Sequence, residues 1–133
     1  MFYDKLKEFQ PYEVIASEKV EKLFDVKIIS FNNDYRYDFI DNNGHKYEVK
    51  TEPTSKRTGN YFIEYQGYGK PSGISTTEAK YYIFSDTINY NIIKTKKLKL
   101  LVAQHGRVCK TKDNLTYGHL VRTDIINGMA SQL

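Results

Sequence analysis

The stretch YDFIDNNGHKYEVK, Tyr37 to Lys50, reads as two short strands folded back on each other around a tight turn. Asp41-Asn42-Asn43-Gly44 supplies the residues that such a turn selects, because asparagine and glycine tolerate a left-handed backbone. Before it, Tyr35 to Ile40 alternates, with Tyr35, Tyr37 and Phe39 on one face and Arg36, Asp38 and Ile40 on the other. After it, His45 to Lys50 returns with Lys46, Glu48 and Lys50 on one face and Tyr47 and Val49 on the opposite one. Cross-strand pairing then brings the Asp38 carboxylate within several ångströms of Glu48, with Lys50 alongside. Two adjacent carboxylates suit a hard cation such as Mg²⁺, whose remaining positions go to water and a substrate phosphate. Such an ion lowers the pKa of a bound water, and a neighbouring ammonium orients that water or offsets negative charge in the transition state.

The competing reading is a ladder of salt bridges on a solvated strand face, where ion pairs contribute little. Three features weigh against it. Asp38 stands mid-strand among aromatic residues, where aspartate is disfavoured. The turn is short and strongly specified. The pair of strands is also flanked by a helix before it and a basic segment after it.

Working outward, Pro11 suits the first turn of a helix running to about Phe24, with Tyr12, Ala16, Val20, Leu23 and Phe24 as its apolar face. Glu13 lies on the flank of that face and Glu18 nearly opposite. Val26 to Phe31 reads as a strand and Asn32-Asn33-Asp34 as a turn. Thr51 to Asn60 is a polar loop, and Tyr61 to Gln66 is a strand with Phe62, Glu64 and Gln66 on one face. Gly67 to Ser75 is glycine-rich, and Ser75 or Thr76 is placed to cap a short helix through Lys80. Tyr81 to Ser85 and Tyr90 to Ile93 form a strand pair, Thr95 caps a basic helix to about Gln104, and Tyr117 to Ile126 adds a strand. The expected fold is α/β, a central mixed sheet flanked by helices, with residues 1–133 as a single domain.

Composition agrees with a globular chain: 133 residues, 40% hydrophobic and 27% charged, with no apolar run of membrane-spanning length. Charges near Met1 argue against a signal peptide, and one cysteine, Cys109, excludes an internal disulfide, so the cytoplasm is the expected location. Net charge is +4, and Lys94 to Lys112 holds seven basic residues and no acidic one. That segment suits a polyanion, or is simply a solvated helix face. Twelve tyrosines mostly fill strand faces, leaving a few to stack on bases. His45, His105 and His119 lack the spacing of a metal site, and no phosphate-binding Gly-x-x-x-x-Gly-Lys motif is present.

On these residues the chain resembles the PD-(D/E)XK nuclease superfamily. Asp38, nine intervening residues and then Glu48-Val49-Lys50 are similar to that family's aspartate, hairpin, Glu-x-Lys pattern, with Tyr37 where the family proline would stand. The stretches FIEY (Phe62–Tyr65) and GKPSGISTT (Gly69–Thr77) look like small phage-borne proteins of the superfamily, and the spacing is similar to that of junction-resolving phage endonucleases. The resemblance implies a restriction-endonuclease-like core and Mg²⁺-dependent cleavage of DNA, with Mn²⁺ substituting. It implies Asp38, Glu48 and Lys50 as catalytic residues. The metal ligands it implies are Asp38, Glu48, the Val49 carbonyl and a helix carboxylate, Glu13 with Glu18 as runner-up. Glu64 and Gln66 would stand just outside the metal, or else be partly buried groups with a hydrogen-bond partner.

DNA contacts are expected from Lys56 and Arg57 on the loop after the site strand. Others fall to Lys70, Ser72, Ser75, Thr76 and Thr77 leading into the short helix, and to Lys94, Lys96 and Lys97 on the basic helix. The partner is DNA with RNA not excluded, on branched or duplex substrates, with a homodimer as the form that cuts both strands. A phage-encoded chain would act in the host cytoplasm. Two alternatives stand beside this reading: a catalytically inactive nuclease-fold DNA binder, and a protein-interaction module that uses its tyrosines as anchors.

Overall fold

The computed structural model describes residues 2–32 and 36–133, residues 2–10 by their backbone alone. Helix α1 covers Phe2–Phe24, with Pro11 inside it rather than at its start. The segment ahead of Pro11 contains Lys5, Leu6, Lys7, Glu8 and Gln10, good helix formers, and the helix gives up the one hydrogen bond that proline cannot donate. Ala16 and Val20 are fully buried, as the wheel predicts, whereas Leu23 is 48% exposed and Phe24 lies at the rim against Tyr81, ring centroids 5.2 Å apart.

Strands β1 (Ile28–Phe31), β2 (Phe39–Asp41) and β3 (Lys46–Thr51) form an antiparallel meander, as expected, although β2 is half the length that alternation predicts. The expected turn at Asn33 and Asp34, and Tyr35, lie outside the described residues. The Asp41–Gly44 turn is built as its residues require. Gly44 takes φ +81°, and the fully buried Asp41 carboxylate accepts the amides of Asn43 (2.8 Å) and His45 (3.0 Å) and the Tyr47 hydroxyl (2.7 Å). Burial works against its charge, yet those donors, Tyr47 first, hold the Asp41 carboxyl below its ordinary pKa.

After β3 the polar loop contains one helical turn, α2 (Ser55–Thr58), closed by Gly59 at φ +72°. Strand β4 (Asn60–Gly67) then leaves the first sheet altogether. It pairs with β5 (Lys70–Pro71) on one side and, later in the chain, with β9 (Thr116–Arg122) on the other. Strand β6 (Tyr81–Ser85) takes the place beside β3, parallel to it, and β7 (Tyr90–Lys94) follows antiparallel as the predicted pair. Helix α3 spans Thr95–His105, but Thr95 is its first helical residue rather than its cap and makes no capping bond.

Two elements differ from the sequence reading. Instead of a capped helix to Lys80, a single 3-10 turn, Gly73–Ser75, precedes a non-helical stretch, because Gly73 at φ +53° tucks under β4. At the far end, the basic segment continues past α3 as strand β8 (Arg107–Lys110), and the last expected strand ends at Arg122, giving way to α4 (Thr123–Met129) and β10 (Ser131–Gln132). The β-branched, apolar run was read as strand throughout, but Thr123 to Met129 packs Ile126 into the core as a helix.

The result is mixed α/β: a six-stranded mixed sheet ordered β1-β2-β3-β6-β7-β10 and a four-stranded antiparallel sheet ordered β5-β4-β9-β8. Alternation along β3, β6 and β7 splits the core in two. Tyr47, Val49, Ile83 and Ile92 pack under Ala16 and Val20 of α1. Tyr82, Phe84 and Ile93 face the second sheet, through Tyr61, Ile63 and Val121, together with Leu98 of α3 and Ile126 of α4. Among the described residues, no helix is long and apolar enough to cross a membrane.

Gly73 holds the 3-10 turn against β4: a Cβ there would overlap the Glu64 carbonyl oxygen and lie 2.8 Å from the Glu64 carbonyl carbon. Backbone cannot yield as a side-chain tip does, so Gly73→Ala is expected to destabilise the fold by roughly 2 kcal/mol or more. Chemical denaturation measures this directly, and wild-type stability in the variant would show that the turn is not held against β4.

Candidate active site

Asp38 sits where β2 begins. Its amide donates to the Tyr47 carbonyl at 2.8 Å, and its side chain takes over one step further on, Oδ2 accepting the Val49 amide at 2.6 Å. The early end of β2 is what frees that carboxylate: it stands in for a ladder bond that a longer strand would have made from its backbone. Glu48, on the adjacent strand, is 9% exposed, its Oε1 is 3.4 Å from the Lys50 ammonium, and its buried Oε2 has no partner. Lys50 follows two positions later on the same face, with a third of its side chain open to solvent. The three residues predicted as the centre therefore meet.

Around them the charges are crowded. Burial pushes Glu48 up to about 8; Lys50 opposes this and Asp38 adds to it. Asp38 is also raised by burial, against the Val49 amide, Lys50 and Glu48. Glu13 of α1 feels the same group. Burial first, and then the Asp38 charge, bring it to about 7, with Lys50 pulling the other way. Of the two helix carboxylates, Glu13 is half-buried and feels Asp38 and Lys50, whereas Glu18 is exposed to solvent. Lys50 loses something to burial, but Glu48, Tyr82, Asp38 and Glu64 together hold it above its ordinary value. It is thus an ammonium at neutral pH, a fixed cation and not a proton acceptor.

Two further residues belong to this cluster and were not found in the sequence. Glu52 continues the alternation Glu48, Lys50, Glu52, and its carboxylate accepts the Phe62 amide at 3.3 and 3.2 Å, tying β3 to the free edge of β4. Burial raises it to about 7, against Phe62 and Lys50. The two-residue period was there to extend, but Pro53 made the segment read as loop. Tyr82, 1% exposed, stands opposite Glu48 in the parallel β3–β6 register, and burial brings its phenol to about 12, with Lys50 opposing and Glu48 adding. No signal marked it, because in sequence it is one aromatic residue of a core strand.

The other expected site residues divide. Glu64 is near enough to bear on Lys50 and accepts the Ser72 hydroxyl at 2.7 Å. Gln66 departs from the expected face, since β4 bulges between Glu64 and Gln66 and shifts the alternation. Thr77 bonds the Arg36 carbonyl at 3.1 Å and also reaches Tyr82, whereas Ser75 and Thr76 bond backbone carbonyls of Tyr65 and Gly73. With no helix following, these hydroxyls do not frame a helix N-terminus. Lys56 and Arg57 are exposed on α2, just past Glu52, and Lys70 is exposed on β5. Lys94, Lys96 and Lys97 are not brought to the cluster. Lys94 pairs with Tyr81, at the end of β6 away from Phe84, the partner of Lys50, which puts it about 10 Å along the sheet.

Among the described residues, no three histidine, cysteine or acidic side chains close around one point. The donors that could hold a hard divalent cation are Asp38 and Glu48, with Glu13 beside them. The unpartnered Glu48 Oε2 and three carboxyls raised by burial, two of them also by the Asp38 charge, are the chemistry such an ion would relieve. Compared with protein-family models, with curated proteins and with solved structures, the chain matches none.

Proposed function

We propose that this chain is a metal-dependent DNA nuclease of PD-(D/E)XK type, hydrolysing phosphodiester bonds with Asp38, Glu48 and Lys50. The observation that carries the reading is the meeting of the buried Glu48, the half-buried Asp38 and a lysine ammonium where β2 and β3 pair, with a third carboxylate, Glu13, arriving from α1. A salt-bridge ladder on a solvated face would not be 9% exposed, nor leave a carboxylate oxygen buried and unpaired.

In this reading Asp38, Glu48 and Glu13, with the Val49 carbonyl, hold Mg²⁺ or Mn²⁺, which when bound supplies an acidified water and polarises the phosphate. Asp38 is kept in place by the Val49 amide. Lys50 keeps its proton and sets its positive charge beside the scissile phosphate, where negative charge grows as water adds. Glu52 braces β3 against β4 so that Lys50 does not swing away. Glu64, held by Ser72, and Tyr82, close to Thr77, line the wall behind it. Lys56 and Arg57 are positioned to take backbone phosphates. The restriction-endonuclease-like core, the phage origin and a homodimer for double-strand cutting belong to the same proposal.

The test is cleavage of labelled linear, nicked and four-way-junction DNA in Mg²⁺ or Mn²⁺ against EDTA. Metal-dependent products are expected, and the preferred substrate identifies the biological role. DNA binding without products under any of these ions would replace the nuclease with a catalytically silent binder.

A further inference from the structure

The second sheet has one face on the core, through Tyr61 and Val121, and one face away from it. Register places Asn60 beside Arg122, and Phe62 beside Leu120 and then Arg107, on that outer face. Arg107 lies across β9 and donates to Asn60 Oδ1 at 2.9 Å, while Arg122 makes two bonds to Asp124, at 3.1 and 2.7 Å. With Thr58, Gly59 and Thr123 these residues line an open groove of about 480 Å³. Next to it, the Phe62 ring lies flat against Gly118, where a Cβ would come 2.5 Å from the ring carbon Cζ. Two residues further along the same strand, Glu64 reaches the surroundings of Lys50, and the Phe62 amide is the one Glu52 holds. The outer face of β4 thus carries an arginine groove and an aromatic ring, on the strand whose free edge is tied to the carboxylate–lysine cluster through Glu52.

We infer that this outer face binds an unpaired strand of nucleic acid and delivers it to the site, an inference that rests on the nuclease reading. Arg107 and Arg122 take backbone phosphates, for which the planar guanidinium fork is suited. The Phe62 ring stacks a base. A base inside a duplex is already stacked on both sides, so only an unpaired one is free to lie on a phenyl ring. The charge is complementary, since Asp124 is the one carboxylate lining the groove against two arginines, with Arg57 exposed nearby. Spacing fits as well: Asn60 and Phe62 are about 7 Å apart along β4, within reach of neighbouring nucleotides of one strand. The substrate class that follows is DNA with a single-stranded part, such as a flap or branch, rather than continuous duplex.

The experiment is fluorescence anisotropy of labelled oligodeoxythymidine and of a blunt hairpin duplex, in EDTA so that nothing is cleaved. The wild type is expected to bind the single strand more tightly. Phe62→Leu is expected to weaken single-strand binding about tenfold and to leave the hairpin unchanged. Arg107→Gln with Arg122→Gln, both at exposed positions, is expected to weaken binding and flatten its dependence on log salt by roughly 1.4. Preference for the duplex, or wild-type affinity and salt slope in the double arginine variant, overturns the inference even if Phe62→Leu fails to fold. A protein that hydrolyses bis(p-nitrophenyl) phosphate yet does not bind the single strand loses this inference alone. One that binds the strand and hydrolyses neither substrate loses the nuclease reading.

Discussion

Lys50→Ala is expected to lower metal-dependent cleavage by roughly 10²–10³-fold while leaving a folded protein that still binds DNA. The argument is one of charge. The Lys50 ammonium is 3.4 Å from Glu48, and it is the cation that opposes the effect of burial at Glu13, Asp38, Glu48 and Glu52 alike. Its removal takes away the positive charge that offsets the extra negative charge of the pentacoordinate transition state. Lys50→Arg is not a rescue, because a planar fork on a longer stem does not place its charge where the compact ammonium stood. Unfolding midpoints of wild type and variant, taken under the assay conditions, separate lost chemistry from lost fold. Cleavage at the wild-type rate in a well-folded Lys50→Ala protein would remove the lysine, and with it the proposed mechanism.

The second large effect is on stability, and its direction follows from the raised carboxyls. Glu13, Glu48 and Glu52 ionise near 4.5 in an unfolded chain and at about 7, 8 and 7 in the folded one. Between those limits the folded protein holds more protons than the unfolded, so its stability is full below about pH 4.5 and falls as pH rises through 7 to 8. Glu48 alone accounts for a loss on the order of 3 kcal/mol between pH 5 and pH 8, a drop in Tm of about 10 °C for a chain of this size. A bound divalent cation replaces those protons. Millimolar Mg²⁺ or Mn²⁺ is therefore expected to restore most of the loss at pH 8 and to do little at pH 5. A Tm that is flat with pH and indifferent to metal at pH 8 would mean that the carboxylates are neither crowded nor a cation site. Glu48→Gln serves as the internal comparison: it should remove the Glu48 share of the pH dependence, leave that of Glu13 and Glu52, and abolish most of the metal response.

The parts of this arrangement that were legible in the sequence are those set by neighbours along the chain. The turn at Asp41–Gly44 and the shared face of Glu48 and Lys50 follow from period and turn chemistry, and the α1 wheel separated Glu13 from Glu18 because a helix fixes angles over a few residues. What escaped depends on contacts between distant segments. Nothing along the chain shows that β3 is flanked by β6, and that parallel pairing is what sets Tyr82 against Glu48. β2 was drawn too long because alternation cannot show that an aspartate side chain, rather than the backbone, closes the last bond to Val49. The bulge before Gln66 reversed one face assignment, and Gly73, read as loop composition, in fact fits a space where no other residue goes.

The parallel pairing of β3 with β6 bears on how the molecule reaches this state. Each strand belongs to an antiparallel partner close by in the chain, β2 and β7 respectively, and hairpins of that kind close within microseconds. Joining the two pairs requires a long loop, holding α2, β4 and β5, to be drawn in first, at an entropic cost that local pairing never meets. Glu48 is therefore expected to lose its water late, in the step that sets Tyr82 beside it. On that order, the carboxyl that burial raises to about 8 is enclosed only once most other contacts have formed to hold it there.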